Sequence, residues 1–250
     1  MALLGGAAAL AGAINAIAGG GTLVTFPTLL SVLAAVPANA TSTFALLPGS
    51  FASAWGYRAE LAASRALLMR LFLPSLFGGI VGALALTRFP ESVFETLVPW
   101  LLLGATVLML LQKPVARWIG AHPHEAPRGS TVAAVVFFQF LVGIYGGYFG
   151  AGIGILMLSS LGFMGVADIH QMNGIKSILA SVMNGIGALI FVLEGKVVWQ
   201  FAIPMALASI AGGYVGARLA RKLPAPVVRS IVIAMGFIVA GYAFYRQSQH

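Results

Sequence analysis

Two glycine-rich stretches are the parts of this sequence best suited to binding a charged ligand. They are Gly19-Gly20-Gly21-Thr22 and Tyr148-Phe149-Gly150-Ala151-Gly152-Ile153-Gly154. Each interrupts a long apolar segment, and an unwound segment that opens a helix exposes backbone N–H groups at the positive end of the helix dipole. Such a terminus binds anions. The candidate ligands here are Gly19, Gly20, Gly21, Thr22, Gly150, Gly152 and Gly154.

Two polar runs follow these stretches, each at the start of another apolar segment. They read Ala38-Asn39-Ala40-Thr41-Ser42-Thr43 and Met172-Asn173-Gly174-Ile175-Lys176-Ser177. On a helix, Asn173, Lys176 and Asn184 share one side. A lysine inside a membrane helix is costly unless it is paired or hydrated, so it is a functional candidate by default. The polar substrate-binding candidates are Asn39, Thr41, Ser42, Ser50, Asn173, Lys176 and Asn184.

Each of these features also has a purely structural explanation. A single glycine can serve close helix packing. Asn39 and Asn173 stand where helices are predicted to begin, so capping alone would account for them. Lys176 lies near a predicted helix end, from which its side chain can snorkel to the membrane surface. The sequence leaves these alternatives open.

The second half of the chain repeats the first at a shift of 134 residues. Gly78-Gly79-Ile80-Val81-Gly82-Ala83 then matches Gly212-Gly213-Tyr214-Val215-Gly216-Ala217, Asn39 matches Asn173, and Ser42 matches Lys176. Two related halves with glycine-interrupted segments at matching places are typical of a secondary transporter in a membrane. We expect Gly78, Gly82, Gly212 and Gly216 to serve close helix packing.

The composition predicts a membrane protein. Of 250 residues, 60% are hydrophobic and only 8% are charged, and the mean hydropathy is +0.97. A soluble surface needs roughly a quarter or more charged residues. The net charge of +8 does not indicate nucleic-acid binding, because the basic residues lie at predicted helix ends and form no patch with interleaved aromatics. The absence of cysteine excludes disulfides and thiolate chemistry.

Eight apolar segments are predicted, four in each half. They cover roughly 1–36, 39–57, 66–87 and 92–111, then 131–163, 172–193, 198–217 and 226–245. The first of each set is too long for one ordinary span and contains a glycine break. It is therefore either a single broken span or a helical hairpin that returns to the side from which it entered.

The basic residues favour the hairpins. With hairpins, ten of them share one side of the membrane, which the positive-inside rule makes cytoplasmic. The ten are Arg58, Arg65, Arg70, Lys113, Arg117, Arg128, Arg218, Arg221, Lys222 and Arg229. With single spans the bias nearly vanishes. With hairpins, each half crosses the membrane an odd number of times, so the two halves have opposite orientations in the membrane.

The predicted fold is an all-α polytopic membrane protein with two inverted repeats, each a Gly-broken helical hairpin plus three transmembrane helices. Repeat 1 covers 1–111, a cytoplasmic linker covers 112–130, and repeat 2 covers 131–250. In the linker, His122, His124 and Glu125 read as a solvated loop, because no further metal ligands follow at a convincing spacing. The six carboxylates, Glu60, Glu91, Glu95, Glu125, Asp168 and Glu194, all lie near predicted ends or loops.

The order and repetition of these motifs resemble the sulfite exporter TauE/SafE family of membrane permeases. The matching motifs are the Gly-rich break, Ala-x-Ala-Thr-Ser, Asn-x-x-Lys-Ser, Asn184 and Gly195-Lys-Val-x-Trp. The resemblance runs over nearly the whole chain and implies export or exchange of small sulfur-containing anions, such as sulfite or sulfonates, across the bacterial inner membrane. One departure is that Ala151 stands where the first half has Gly20.

We therefore expect a secondary carrier whose partners are a small sulfur-containing anion and the lipid bilayer, with no cofactor and no nucleic acid. If transport is coupled to protons, Asp168, His170 or the substrate's own protonation must provide the coupling. The alternative function is an anion channel that uses the same helix termini; a channel shows no trans-stimulation in a counterflow assay. An intramembrane enzyme is not favoured, because no nucleophile–base pair lies within a span.

Overall fold

The computed structural model describes residues 2–17, 21–56, 65–121, 129–166, 169–219 and 225–248. Within these ranges the protein consists of ten α-helices, with no β-strand among them. The helices are α1 (Ala2–Ile17), α2 (Thr22–Leu30), α3 (Ala35–Gly56), α4 (Arg65–Arg88), α5 (Glu91–Ala121), α6 (Gly129–Tyr148), α7 (Ile153–Phe163), α8 (Ile169–Leu193), α9 (Trp199–Leu219) and α10 (Ala225–Gln247).

Four of the described helices contain a stretch long and apolar enough to cross a bilayer. These stretches are Arg65–Arg88, Glu91–Leu111, Gly129–Tyr148 and Gly174–Leu193. At most 39% of each is buried inside the protein, so most of its apolar surface faces outward. Large apolar faces of this kind require a lipid environment. The all-helical prediction is confirmed, and the fold is that of a polytopic membrane protein.

The helices fall into two sets of five with the same order. In each set a pair of helices separated by a glycine break, α1–α2 or α6–α7, precedes three longer helices. The second helix of each pair is short, with 9 residues in α2 and 11 in α7. This order is the one predicted for the two repeats.

The two sets pack against each other in an exchanged pattern. α4 packs on α6 and α8 of the other half, and α9 packs correspondingly on α1 and α3. α5 likewise contacts α7, and α10 contacts α2. The main contacts between the halves therefore have counterparts with the halves exchanged, and each glycine-broken pair is held mainly by the opposite half.

Glycines bring α4 and α6 into backbone contact. A Cβ atom at Gly78 or Gly82 would overlap the carbonyl oxygens of Phe140 and Ile144, respectively. The corresponding contact in the other half is made by Gly212 of α9, whose Cβ would overlap the Ala9 carbonyl in α1. Small residues are needed wherever two helices approach so closely.

The close-packing role predicted for Gly78, Gly82 and Gly212 is thus confirmed. Gly216, the fourth glycine of that prediction, lies outside the residues whose packing is described.

The first part of the predicted linker, residues 112–121, continues the helix of α5. α5 continues to Ala121, ten residues beyond the predicted end of its apolar span at 111. Val115, Trp118 and Ile119 keep an apolar helical spacing beyond Pro114, which explains why the helix outlasts the change in polarity. Residues 122–128, which include the His122, His124 and Glu125 group, lie outside the described residues.

We predict that Gly82→Ala destabilises the protein, because the new methyl group would push α4 away from the α6 backbone. Overpacking of this kind costs about 1–3 kcal/mol. Gly104→Ala is the matched control: it lies on an exposed helix face with nothing within 4 Å of its Cβ position, and alanine favours helix there by up to about 1 kcal/mol. Thermal unfolding in detergent measures both, and equal melting temperatures for the two variants would contradict the prediction.

Candidate functional site

The second glycine break is a tight turn between α6 and α7. Gly150 and Gly152 have φ angles of 81° and 78°, in the left-handed region that favours glycine. The Phe149 and Gly150 N–H groups donate to the Tyr145 carbonyl at 2.9 and 3.1 Å, and the Tyr145 hydroxyl donates to the Ala151 carbonyl at 2.8 Å. The turn therefore satisfies much of its own backbone, as an apolar setting demands.

α6 and α7 run back alongside each other after this turn. The Ser160 hydroxyl of α7 lies 3.4 Å from Gln139 Oε1 in the middle of α6. Farther from the turn, Thr131 near the start of α6 and Phe163 at the end of α7 line one groove. The pair is thus a helical hairpin, the geometry favoured by the basic residues, with its tip at 149–152.

An aromatic cluster joins this tip to α2 of the first half. The Phe26 ring of α2 packs edge-on against Phe149 with 5.3 Å between ring centroids, and Phe94 of α5 lies 6.1 Å from Phe26. Phe94 also packs on Tyr148, at 5.4 Å. The three phenylalanines are fully buried. The α6–α7 tip and the middle of α2 therefore meet at one place, where the rings pack together.

The polar face of α3 reaches both hairpins. Asn39 Nδ2 donates to the Tyr148 carbonyl at the end of α6, at 3.1 Å. One turn further along, the Ser42 hydroxyl lies 2.6 Å from the Thr25 hydroxyl of α2, and Thr25 donates to the Gly21 carbonyl at 3.3 Å. Through the polar run 38–43, α3 thus contacts both breaks.

The capping explanation for Asn39 is wrong. Asn39 is the fifth residue of α3, which begins at Ala35, and its side chain bonds to the opposite half. It is 1% exposed, and its Oδ1 atom has no hydrogen-bond partner among the described residues. A buried acceptor left in this way costs about 1–3 kcal/mol. Asn173 is likewise the fifth residue of α8, so it does not cap that helix either, and its side chain lies outside the description.

Lys176 lies against the first turn of α7. It is the eighth residue of α8, two turns from the helix start. A Cβ atom at Gly154 would lie 3.2 Å from Lys176 Cδ and 3.8 Å from Cε, so the lysine chain runs along the N-terminal turn of α7. A helix N-terminus carries a partial positive charge and free N–H donors. A cation placed beside it makes a neighbourhood that favours an anion.

The remaining predicted residues divide between the tip and other places. Asn184 Oδ1 lies 3.4 Å from the Cβ position of Gly150, which places Asn184 at the tip. The Thr41 hydroxyl instead accepts from the Val198 N–H at 3.1 Å, and the Ser50 hydroxyl donates to the Leu46 carbonyl of its own helix at 3.3 Å. The first bond fixes the α8–α9 connection to α3, and the second lies within α3.

The two glycine breaks are not built alike. Gly21 precedes α2 with φ −56°, an ordinary helical value that any residue adopts, whereas Gly150 and Gly152 need glycine. Thr22 is the first residue of α2 and is half-buried. Gly19 and Gly20 lie outside the described residues, so the first break is described only from Gly21 onward.

Sequence reasoning missed a buried polar cluster around Gln139. Gln139 Nε2 donates to the Ser75 hydroxyl of α4 at 2.9 Å, and its oxygen is within reach of Ser160. All three residues are buried. This cluster fixes the hairpin to α4. The sequence contains a feature that could have predicted this cluster, because Gln139 is the lone amide in the apolar run 131–145.

The described acidic side chains are Glu91, Glu95 and Glu194, and Glu95 is exposed. Glu91 accepts the Val36 N–H at 3.0 Å, at the first turn of α3, and Glu194 forms an ion pair with Arg88 at 2.8 Å. Among the described residues, no group of three or more histidine, cysteine or acidic side chains is placed to hold a metal ion. The chemistry at the tip is therefore that of N–H groups, hydroxyls, amides and one lysine.

Comparison with known proteins places this geometry in context. Residues 4–243 match the family model described as "Sulfite exporter TauE/SafE". A probable membrane transporter protein, ORF9, of Sinorhizobium sp is 29% identical over 96% of this chain and 90% of its own length. Probable membrane transporter proteins of Haemophilus influenzae and Escherichia coli (YfcA) are 24% and 26% identical, over 94% and 95% of this chain and 90% and 87% of theirs. No solved structure matches the chain.

We predict that Gly150→Ala weakens binding of a small oxyanion such as sulfite, because alanine resists the left-handed φ of the turn. Gly195→Ala is the matched control, with φ 64° and nothing within 4 Å of its Cβ position. Both variants should lose about 1–2 kcal/mol of stability. Thermal unfolding without anion measures that loss, and the anion-induced shift measures binding. A shift reduced equally in both variants would show that the Gly150 turn has no special role in binding.

Proposed function

Because the chain belongs to the sulfite exporter TauE/SafE family, we propose that it is a secondary carrier of small sulfur-containing anions, such as sulfite and sulfonates. It would export or exchange them across the bacterial inner membrane by alternating access. The family and the names of the relatives are those of membrane transporters, not of enzymes. The observation that carries the proposal is the Lys176 side chain lying along the N-terminal turn of α7.

The chemistry of the hairpin tip supports an anionic substrate. A tetrahedral oxyanion is bound by backbone N–H groups, amides, hydroxyls and one cation. The first turn of α7, Asn184 and Lys176 supply these groups at the tip. The Thr25–Ser42 hydroxyl pair adjoins Phe26, whose ring contacts Phe149 at the tip. Of the described carboxylates, Glu91 and Glu194 bond elsewhere and Glu95 is exposed, so none of them is placed to oppose a negative charge at the tip.

The exchanged packing of the two halves supports inverted repeats. In the proposed arrangement the α1–α2 hairpin enters from the outside and the α6–α7 hairpin from the cytoplasm, and their tips meet near the middle of the membrane. Residues 112–130 are then cytoplasmic, as the basic residues predict. Rocking one half against the other would open the tip contact alternately to each side.

The buried aromatic contacts fit a carrier better than an open pore. Phe26, Phe94 and Phe149 are buried and packed on one another where α2 and α5 meet the α6–α7 tip. In a carrier, this contact separates the two access routes. An anion channel remains the alternative, and trans-stimulated uptake of labelled sulfite into proteoliposomes distinguishes a carrier from it.

The substrate prediction concerns Lys176→Ala. Purified wild type should show a thermal shift with sulfite, thiosulfate or a small sulfonate. The variant should bind about 10- to 100-fold more weakly, because it loses a charge-assisted contact. Lys196→Ala is the matched control, since Lys196 lies in the connection after α8, away from the tip. If no sulfur anion shifts the wild type, the proposed substrate class is wrong. An unchanged shift in Lys176→Ala would leave binding to the glycine amides alone.

The topology prediction uses the absence of cysteine from the chain. With hairpins the C-terminus lies outside, whereas with single broken spans it lies inside. A membrane-impermeant maleimide should therefore label Ser248→Cys in intact cells and leave Ala121→Cys, in the proposed cytoplasmic linker, unlabelled until the membrane is opened. Protection of Ser248→Cys in intact cells would refute the inverted arrangement.

A further inference from the structure

One hydrogen-bond acceptor at the hairpin tip is left unused. The Asn39 carboxamide is fixed in position because its Nδ2 donates to the Tyr148 carbonyl, the last residue of α6. That bond identifies the other atom as the oxygen. Asn39 Oδ1 is buried and has no partner among the described residues. A buried amide oxygen that no protein group satisfies is a site for a donor that arrives with a ligand.

The rest of the tip favours a negative charge, and this restricts what the ligand can be. The N-terminal turn of α7 and the Lys176 chain attract anionic oxygens. Asn39 Oδ1 does the opposite, because a carbonyl lone pair repels the lone pairs of a fully deprotonated oxyanion. A ligand that suits both has negatively charged oxygens and one hydrogen to donate.

We propose that the carrier takes its substrate as a monoprotonated oxyanion, and that Asn39 Oδ1 accepts the hydrogen that this substrate carries. The inference rests on the proposed function. It selects one of the three sources of proton coupling left open by the sequence, namely the substrate itself. The proton then crosses the membrane on the anion, and no carboxylate at membrane depth is needed to carry it.

The proposal also assigns a selectivity. A site built to pair with a ligand hydrogen discriminates strongly against an analogue that lacks it, because the buried partner is then left unpaired. A dianion such as sulfate lacks the hydrogen and sets lone pair against lone pair. Asn39 would therefore separate hydrogen-bearing monoanions from dianions of nearly the same shape.

The closed tip explains why the acceptor is unsatisfied in this structure. Asn39 is 1% exposed, and the Tyr148 residue that it bonds packs on Phe94, part of the aromatic cluster that also contains Phe26 and Phe149. A ligand hydrogen reaches Oδ1 only when these rings separate. Satisfying the acceptor then favours the opened, occupied tip.

The pH effects of other titratable groups near Asn39 must be distinguished from the protonation of the substrate. Against α3 pack α8, which carries His170 and Lys176, and α5, which carries Glu91 and the exposed Glu95. Glu91 bonds to the Val36 N–H, one turn before Asn39. Tyr148 is the titratable group next to Asn39 on α6. α1, α2 and the 199–212 part of α9, which also face α3, contain no acidic or basic side chain and no tyrosine. Glu91→Gln is therefore the control for pH effects.

The test compares two probes on the purified full-length protein. Sulfite gains one hydrogen as the pH falls through neutrality, whereas methanesulfonate is a monoanion without an acidic hydrogen over the same range. The apparent affinity of wild type for sulfite should fall about tenfold per pH unit above the pKa of hydrogensulfite, in step with the protonated fraction. It should level off below that pKa. Methanesulfonate should bind more weakly and independently of pH.

Asn39→Ala should lose about tenfold in affinity for sulfite at the lower pH. Its affinity for methanesulfonate should not fall but rise, because the variant removes the oxygen that repels an anion without a hydrogen. Glu91→Gln should keep the wild-type slope with pH. If Asn39→Ala does not fold, the wild-type pH profile tests the proposal without it.

Three results would overturn the proposal. The affinity for sulfite could be independent of pH, or it could rise as the fraction of sulfite dianion rises. Asn39→Ala could weaken both probes equally, which would make Asn39 a positioning residue for α6. Binding could require sodium in place of choline, with the requirement lost in Asn39→Ala, which would make Oδ1 a cation ligand. In each case anion binding itself survives. If neither probe shifts the wild type at any pH, the proposed function fails instead.

Discussion

The structure depends on backbone groups that must be satisfied where a helix is broken inside an apolar environment. An unpaired N–H or C=O group costs several kcal/mol in hydrocarbon. At the break between α6 and α7, the Tyr145 hydroxyl binds the Ala151 carbonyl and the Asn39 amide binds the Tyr148 carbonyl. One of these donors comes from the hairpin itself and the other from the opposite half. The break therefore persists only while the two halves are packed together.

The glycine contact between α4 and α6 places the hairpin where these donors can reach it. Because Gly78 and Gly82 present bare backbone, α6 lies close enough for the buried Ser75–Gln139–Ser160 cluster to form beneath the contact. Equivalent positions in the two halves carry different side chains near the glycine breaks. Ser42 and Lys176 are each the eighth residue of their helices, and each lies against the second helix of its own hairpin. The duplicated scaffold thus holds a hydroxyl pair on one side and a cation on the other.

The sequence predicted the parts of this arrangement that depend on local pattern. The glycine breaks, the α6–α7 hairpin and the polar run around Asn39 follow from composition, spacing and charge. What it could not predict depends on partners distant in the chain. Asn39 and Tyr148 are 109 positions apart, and the Phe26–Phe149 contact joins different halves. The capping explanation for Asn39 failed because a polar residue near a helix start fits both roles until its partner is known. The extension of α5 to Ala121 was missed because the prediction followed polarity, whereas the helical spacing of Val115, Trp118 and Ile119 continued beyond it.

The closed tip is held by two effects of similar size and opposite sign. The Phe26–Phe149 and Phe26–Phe94 pairs each contribute about 0.5–1.5 kcal/mol beyond their area burial. The unpaired Asn39 oxygen costs about 1–3 kcal/mol. Since these two energies are similar, the unpaired Asn39 oxygen offsets much of the specific aromatic stabilisation of the closed tip. A ligand shifts such an equilibrium only by its differential affinity for the two states. A substrate hydrogen that satisfies Asn39 in the open tip supplies that difference, because Asn39 is 1% exposed in the closed tip.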